Sequence, residues 1–269
     1  MTHFRWWRIR LTFPIWSKRP ASLTTLAILH SGTTANSTVY ANFVSSLDGT
    51  VALPGIPQSN KLISGGSEAD RFVMAVLRAL ADAVVTAAGT LAGSPAGTWS
   101  PGRAHPASAE LLADLRRARR LPERPELVIL TGSGAIDPDH PAFAGRTVVL
   151  TTTHGESRLR GRIPASAELL PLVDEGRIEP AAAIAALRAR GHRLILLETG
   201  PRTFGAFAAA GVVDELFLTV SPLLTGGSAQ TRLSLVEGVD PLRDGIVHAE
   251  LLSLRRHERH LFLRYGLAA

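Results

Sequence analysis

From Val39 onward, apolar runs of strand length alternate with segments whose apolar residues recur every three or four positions. Strands buried on both faces lose polar alternation while the helices covering them keep a one-sided stripe, so this pattern predicts a parallel or mixed sheet between helices. The runs lie at residues 39–45, 83–86, 127–131, 147–151, 169–173, 194–198 and 215–220. Two more, 248–256 and 260–265, flank a short polar turn and predict an antiparallel hairpin. The first helix begins at Ser67, whose side chain can cap it, with Asp70 at the acidic position of a capping box. Phe72, Val76, Ala79 and Leu80 share its apolar face, and Arg71 and Arg78 its polar one. A second helix is expected over 107–120, a third with Pro180 in its first turn and Gly191 after its end, and a fourth over 203–210, closed by Gly211. The stretch 93–106, with Trp99, Arg103 and His105, has neither period; it reads as a lid or binding loop, or equally as a surface connection. No internal repeat or linker divides 39–269, which is expected to be one domain.

Composition narrows the classes. With 269 residues and 45% hydrophobic content the chain can bury a sizeable core. The absence of cysteine removes disulfides, thiolate nucleophiles and sulfur-ligated zinc, and a cytoplasmic location is the expectation. The net charge of +6 is uneven, since Arg5, Arg8, Arg10, Lys18 and Arg19 lie within residues 1–38, which contain no acid. The remainder is close to neutral, so nucleic-acid binding by the folded part is not expected. Residues 1–38 also hold three of the four tryptophans and read first as a disordered extension, then as a targeting peptide, then as a membrane-surface arm. No run reaches the roughly 18 apolar residues that a spanning helix requires.

Chemistry concentrates where strands end. Leu194-Ile195-Leu196-Leu197-Glu198 runs into Thr199-Gly200-Pro201-Arg202-Thr203-Phe204-Gly205, a carboxylate followed by a glycine turn that opens a helix. In open α/β sheets ligands sit beyond the carboxyl ends of strands, and a helix N-terminus there offers unpaired N–H groups to phosphate. Thr131-Gly132-Ser133-Gly134 follows a strand but lacks the third glycine and immediate helix of a dinucleotide fingerprint. Asp48, in Ser46-Leu47-Asp48-Gly49, is either a turn-stabilising acid or a group at the crevice. His257 and His260 stand among Arg255, Arg256 and Arg259, which would repel a cation, so no metal site is expected.

Taken in order, Asn42-Phe43-Val44-Ser45-Ser46-Leu47-Asp48-Gly49, Ile63-Ser64-Gly65, Arg78-Ala79-Leu80-Ala81-Asp82-Ala83, Ala88-Gly89-Thr90, Leu197-Glu198-Thr199-Gly200-Pro201 and Val213-Asp214-Glu215-Leu216 with Pro222 resemble one family. It is the pyrimidine reductase of riboflavin biosynthesis, the C-terminal reductase domain of the bifunctional deaminase-reductase. The resemblance implies a dihydrofolate-reductase-like three-layer α/β fold with a mixed, mostly parallel sheet. It further implies an NADPH-dependent reductase, usually homodimeric, that delivers hydride to the ring-opened ribose imine of 5-amino-6-(5-phosphoribosylamino)uracil. By the same resemblance Asn42, Asp48, Asn60, Arg78, Arg103 and Glu198 are expected to face substrate. Val44, Thr90, Thr131, Gly200, Pro201, Arg202, Thr203, Phe204 and Gly205 are expected to face the cofactor. The proton donor stays unassigned.

The chain departs from that pattern in places. Deaminase-fused members often carry a lysine where Asn42 stands, and Asp-Asp-Pro followed by an arginine where Gly93-Ser94-Pro95 and Ser100 stand; Arg103 is the candidate replacement. The 131–136 loop lacks the arginines that accompany a cofactor 2′-phosphate, which makes Arg158 and Arg202 candidates and leaves NADH open beside NADPH. Without cysteine the zinc site of the deaminase is missing, so the expectation is a reductase without deaminase activity. Alternatives are a pterin or dihydrofolate reductase, a non-catalytic nicotinamide-cofactor-binding protein, and a protein held at a membrane by its Trp-rich arm.

Overall fold

The computed structural model describes residues 37–268, so all but the last two positions of the expected 1–38 extension lie outside the described residues. Nine strands form one sheet in the order β10-β11-β8-β1-β7-β3-β4-β5-β6. These are β1 (Thr38–Ser45), β3 (Ala83–Ala87), β4 (Glu126–Thr131), β5 (Thr147–Thr152), β6 (Ala167–Val173), β7 (Leu194–Leu197), β8 (Glu215–Val220), β10 (His248–His257) and β11 (His260–Ala268). The strands from β8 to β6 pair in parallel, and β11 joins β8 antiparallel with β10 outside it. A two-stranded ribbon of β2 (Thr50–Ala52) and β9 (Leu233–Ser234) stands apart and left no readable period in the sequence.

Side chains alternate across each strand, so β1 contributes Val39, Ala41 and Phe43 to one core and Tyr40 to the other. The first core is covered by α7 (Pro180–Ala189) and α8 (Pro201–Ala209), through Ile184, Leu187, Phe204 and Phe207. The second includes Leu77 of α2 (Glu68–Leu80), which follows the short α1 (Ser59–Ile63). Helix, sheet and helix give the three layers implied by the resemblance. Among the described residues no helix is long and apolar enough to cross a membrane.

Several local expectations change. Ser67 Oγ does accept from Asp70 N at 3.2 Å, but Ser67 N donates to Ser64 O. The Asp70 carboxyl is turned inward toward the Thr219 hydroxyl and completes no capping box. The 107–120 helix is α5 (Ala109–Ala118), entered by a 3₁₀ turn at Pro106–Ser108, and the fourth helix starts earlier, with Pro201 at its first position. The aperiodic stretch is neither lid nor plain connection. It follows α3 (Ala88–Ala92) and contains α4 (Pro101–Ala104), and between the two helices Trp99 is a core plug, 5% exposed beside Val84, Leu127 and Phe143.

One positioning residue escaped the sequence reading. Arg116, fully buried on α5, donates Nη1 to the carbonyls of Arg78 (3.3 Å), Ala79 (3.0 Å) and Ala81 (2.8 Å), and Nε to Pro122 O (2.6 Å). It satisfies the last carbonyls of α2 and places a cation at the negative end of the helix. Burial lowers its guanidinium to about 10. The readable signal was its spacing, four residues after Leu112 on the inward stripe of α5.

Candidate active site

The carboxyl ends of β7, β1 and β8 form the floor of a cleft, and α2 crosses above them. The register sets Val44 opposite Thr219 and Asn42 opposite Phe217, while Tyr40 sits opposite Leu196 on the β7 side. With alternation, Tyr40, Asn42 and Val44 share the face that carries Phe217 and Thr219. Above that face Arg78 and Asp70 lie two turns apart on α2, about 12 Å along the helix axis.

Arg78 donates Nε to Glu198 Oε1 and Oε2 at 2.9 and 3.1 Å, and Nη2 to Oε2 at 2.5 Å. The side chains are only 13% and 9% exposed, so Arg78 is not the solvated helix arginine that its polar stripe implied. Thr86 Oγ1 donates to Glu198 O at 3.1 Å, and Glu198 N donates to Val85 O at 2.9 Å, which fixes the backbone that presents the carboxylate. Asn42 is half-buried on the floor, and its side chain makes no hydrogen bond with the described residues.

Burial raises the Asp70 carboxyl above the usual aspartate range, with Glu198 adding to the rise. The Thr219 hydroxyl, His260 and Arg71 offset it in part. His260 is itself held by Ser64 O at 2.9 Å, which gives one member of the predicted solvated turn a structural post. No group of three or more acidic, histidine or cysteine side chains suited to a metal occurs among the described residues.

Three expected substrate residues lie outside this cluster. Asp48 accepts from Ser46 Oγ, Gly226 N (2.8 Å) and Thr225 N (3.3 Å), chiefly the first of which depresses its carboxyl far below the usual range, and Arg232 Nη1 at 3.3 Å helps tie two loops together. Asn60 is exposed on α1. Arg103 is exposed on α4, whose Ala104 packs on the Phe72, Ala75, Val76 and Ala79 face of α2; among the described residues no hydrogen bond or ion pair ties it to Glu198, the partner of Arg78.

The expected cofactor residues divide similarly. Gly200 caps α8 without any side-chain hydrogen bond, and Pro201 has no N–H, so the first-turn N–H groups of Arg202 and Thr203 are left open. Thr90 Oγ1 faces this turn, 3.6 Å from where a Gly200 Cβ would stand. The Thr199 hydroxyl is buried without a hydrogen-bond partner among the described residues. Beside it lies a groove of roughly 470 Å³ lined by Thr131, Gly132, Arg177, Arg202, Thr203 and Ala206. Arg158, by contrast, is not among its lining residues.

Phe204 packs on Phe43 with ring centroids 4.9 Å apart. A Cβ on Gly205 would stand 2.8 Å from Glu237 O, so that glycine serves a close helix-to-loop approach. Val44 is buried beside Thr219. An open helix N-terminus, an orphan hydroxyl and a groove lined by two arginines fit a phosphate-bearing dinucleotide.

Comparison with known proteins agrees with this geometry. The family model described as the RibD C-terminal domain matches residues 37–261. The riboflavin biosynthesis protein RibD of Mycobacterium tuberculosis (strain CDC 1551 / Oshkosh) is 32% identical over 122 residues, 42% of this chain and 34% of that protein's length. Thus the match spans about a third of the curated relative. A pyrimidine reductase-like protein from Corynebacterium diphtheriae superposes with a TM-score of 0.71 at 22% identity, covering 91% of this chain and 99% of the other. The Saccharomyces cerevisia riboflavin biosynthesis reductase Rib7 gives 0.59 at 12% identity, with 91% and 97% covered. At these identities the likeness concerns the fold.

Proposed function

Since the chain belongs to the RibD C-terminal domain family, we propose that it is an NADPH-dependent reductase of 5-amino-6-(5-phosphoribosylamino)uracil. The observation that carries this reading is the buried Arg78–Glu198 pair at the carboxyl end of β7, next to the open N-terminus of α8. Glu198 accepts hydrogen bonds from a pyrimidine edge or sugar hydroxyls, and Asn42 adds a donor and an acceptor from the floor. The N–H groups of Arg202 and Thr203 receive the cofactor pyrophosphate beside Thr90 and the Thr199 hydroxyl. When bound, NADPH supplies the hydride. The chain's own work is to seat the reacting carbon under α2 and keep water out.

Arg177 and Arg202, which line the same groove, are the receivers of the 2′-phosphate. Arg177 was not foreseen, because nothing in Gly176-Arg177-Ile178 links it by sequence to Thr131. Arg177→Ala is expected to raise the KM for NADPH about tenfold, a charge-assisted hydrogen bond being worth roughly 1.5–3 kcal/mol, and to leave the KM for NADH unchanged in steady-state assays.

A second reading, reduction of a pterin or dihydrofolate, is favoured by one observation: Arg78 is already engaged by Glu198, so no free cation awaits a substrate phosphate there. Parallel assays of NADPH oxidation with the phosphoribosylaminouracil and with dihydrofolate decide between them; turnover of dihydrofolate alone rejects the first reading. The edge strand β10 exposes Leu251 and Leu252, with Ile246 exposed just before it. This apolar edge supports a homodimer, which sedimentation velocity at micromolar concentration tests.

A further inference from the structure

The reduction of a C=N bond needs a proton on nitrogen as well as a hydride on carbon, and the cleft holds two carboxyls in different settings. Glu198 has its charge matched by a bidentate arginine. Asp70 has no arginine or lysine within ion-pair distance among the described residues, and lies half-buried over the floor strand β8.

We propose that Asp70 is the acid that protonates the imine nitrogen of the substrate, while Glu198 with Arg78 orients that substrate. The geometry rests on one helix: Asp70 shares the face of Val73 and Leu77, the α2 residues packed on Tyr40 and Phe217 of the sheet, and Arg78 two turns on reaches Glu198 after β7, with Asn42 and Val44 of β1 on that same sheet face. A substrate lying on Asn42 and Val44 therefore meets one carboxyl at each end.

The groups facing Asp70 define its titration. Thr219 from β8 and His260 from β11 approach it from the sheet, Arg71 from its own helix, and Glu198 from beyond β7. Burial prevails over the three that favour the anion, and the carboxyl keeps its proton above the usual aspartate range.

The step balances. The carbon of the C=N bond gains hydride, the π pair remains on nitrogen, and the Asp70 O–H bond breaks as the new N–H bond forms. The nicotinamide is oxidised, the imine is reduced to an amine, and the Asp70 carboxylate recovers its proton from water between turnovers. Because both candidate substrates present a C=N bond, this inference rests on the reductase reading but not on which of the two is reduced.

Asp70→Asn is expected to lower kcat at neutral pH by a hundredfold or more, the usual worth of a positioned acid, with KM changed less than threefold. It should also remove the alkaline fall of kcat. Thr219→Val, which deletes a hydroxyl that favours the anion, should move that fall to higher pH. Carbon-13 NMR of aspartate-labelled chain provides a readout without turnover: one carboxyl titrates above the ordinary range and disappears in Asp70→Asn. An unchanged pH profile in a folded, cofactor-binding Asp70→Asn variant, or no high-titrating carboxyl, overturns the assignment. A parent chain that reduces dihydrofolate alone rejects the riboflavin substrate but leaves Asp70 under test by the same variants. Reduction of neither substrate overturns both.

Discussion

Two buried arginine–glutamate pairs stand on the same face of the sheet, and they differ in what surrounds them. Arg264 of β11 donates to Glu215 of β8 at 2.8 and 2.6 Å, with its guanidinium 5.6 Å from the centre of the Phe217 ring. Tyr40 meets the same ring edge-on, and both members of the pair are under 10% exposed. Arg78 and Glu198 are paired in an equally tight fork, but their neighbours are an unpartnered Asn42 and the raised carboxyl of Asp70. The pair at the amino end of β8 lies against the Phe217 ring, and the pair at the carboxyl end of β7 opens onto a cleft. Pairing geometry alone therefore does not distinguish a structural ion pair from a recognition site; the unsatisfied groups around it do.

The largest consequence concerns the enclosed pair. Arg264→Leu leaves the buried Glu215 carboxylate without its arginine, and the loss of one partner of a buried pair costs about 3–5 kcal/mol. Urea denaturation should show that loss; a change under about 1 kcal/mol would place the pair in effective contact with water. Glu198→Gln should divide its effect the other way. The fork loses its negative charge and one of its two accepting oxygens, so stability falls by about 1.5–3 kcal/mol, whereas kcat/KM falls a hundredfold or more. A Glu198→Gln chain that unfolds as readily as Arg264→Leu, with activity per folded molecule unchanged, would make the two pairs equivalent.

The smallest effect is expected at the opposite end of the sheet. Glu126, at the start of β4, accepts from His192 Nε2 at 2.8 Å and Arg190 Nε at 3.4 Å, and its carboxyl is held down at about 2, mainly by His192. A carboxyl depressed on folding contributes stability above its unfolded pKa and loses it as pH falls toward the folded value. Stability should accordingly decline between about pH 4.5 and 2 in the parent, and Glu126→Gln should flatten that decline in acid-denaturation curves.

The strands of the sheet were readable because β1, β3, β4 and β5 are buried on both faces and so appear as unbroken apolar runs. Bond geometry across the site was not. Arg78 and Glu198 are 120 positions apart, and a helix arginine on a polar stripe looks solvated until a strand end is placed beneath it. Asp70 was read as a cap because its sequence neighbour Ser67 does cap; the local motif concealed a side chain that serves tertiary structure. Trp99 and Arg116 were missed for related reasons. An aperiodic segment hides a core residue, and a charged residue on an inward stripe is read as tolerated rather than needed. In the turn and helix start from Glu198 to Gly205, which the resemblance singled out, Arg202 lies exposed, while Phe204 and Gly205 are committed to packing.

The reductase reading is tested most directly by isotope transfer. The chain is incubated with NADPH deuterated at C4 and with 5-amino-6-(5-phosphoribosylamino)uracil, and the product is analysed by mass spectrometry and NMR. One deuterium on the former ribose C1′ for each NADPH oxidised, lost in Glu198→Gln, is the result this account predicts. Intact NADPH in the presence of that substrate, or equal transfer by Glu198→Gln, would contradict it.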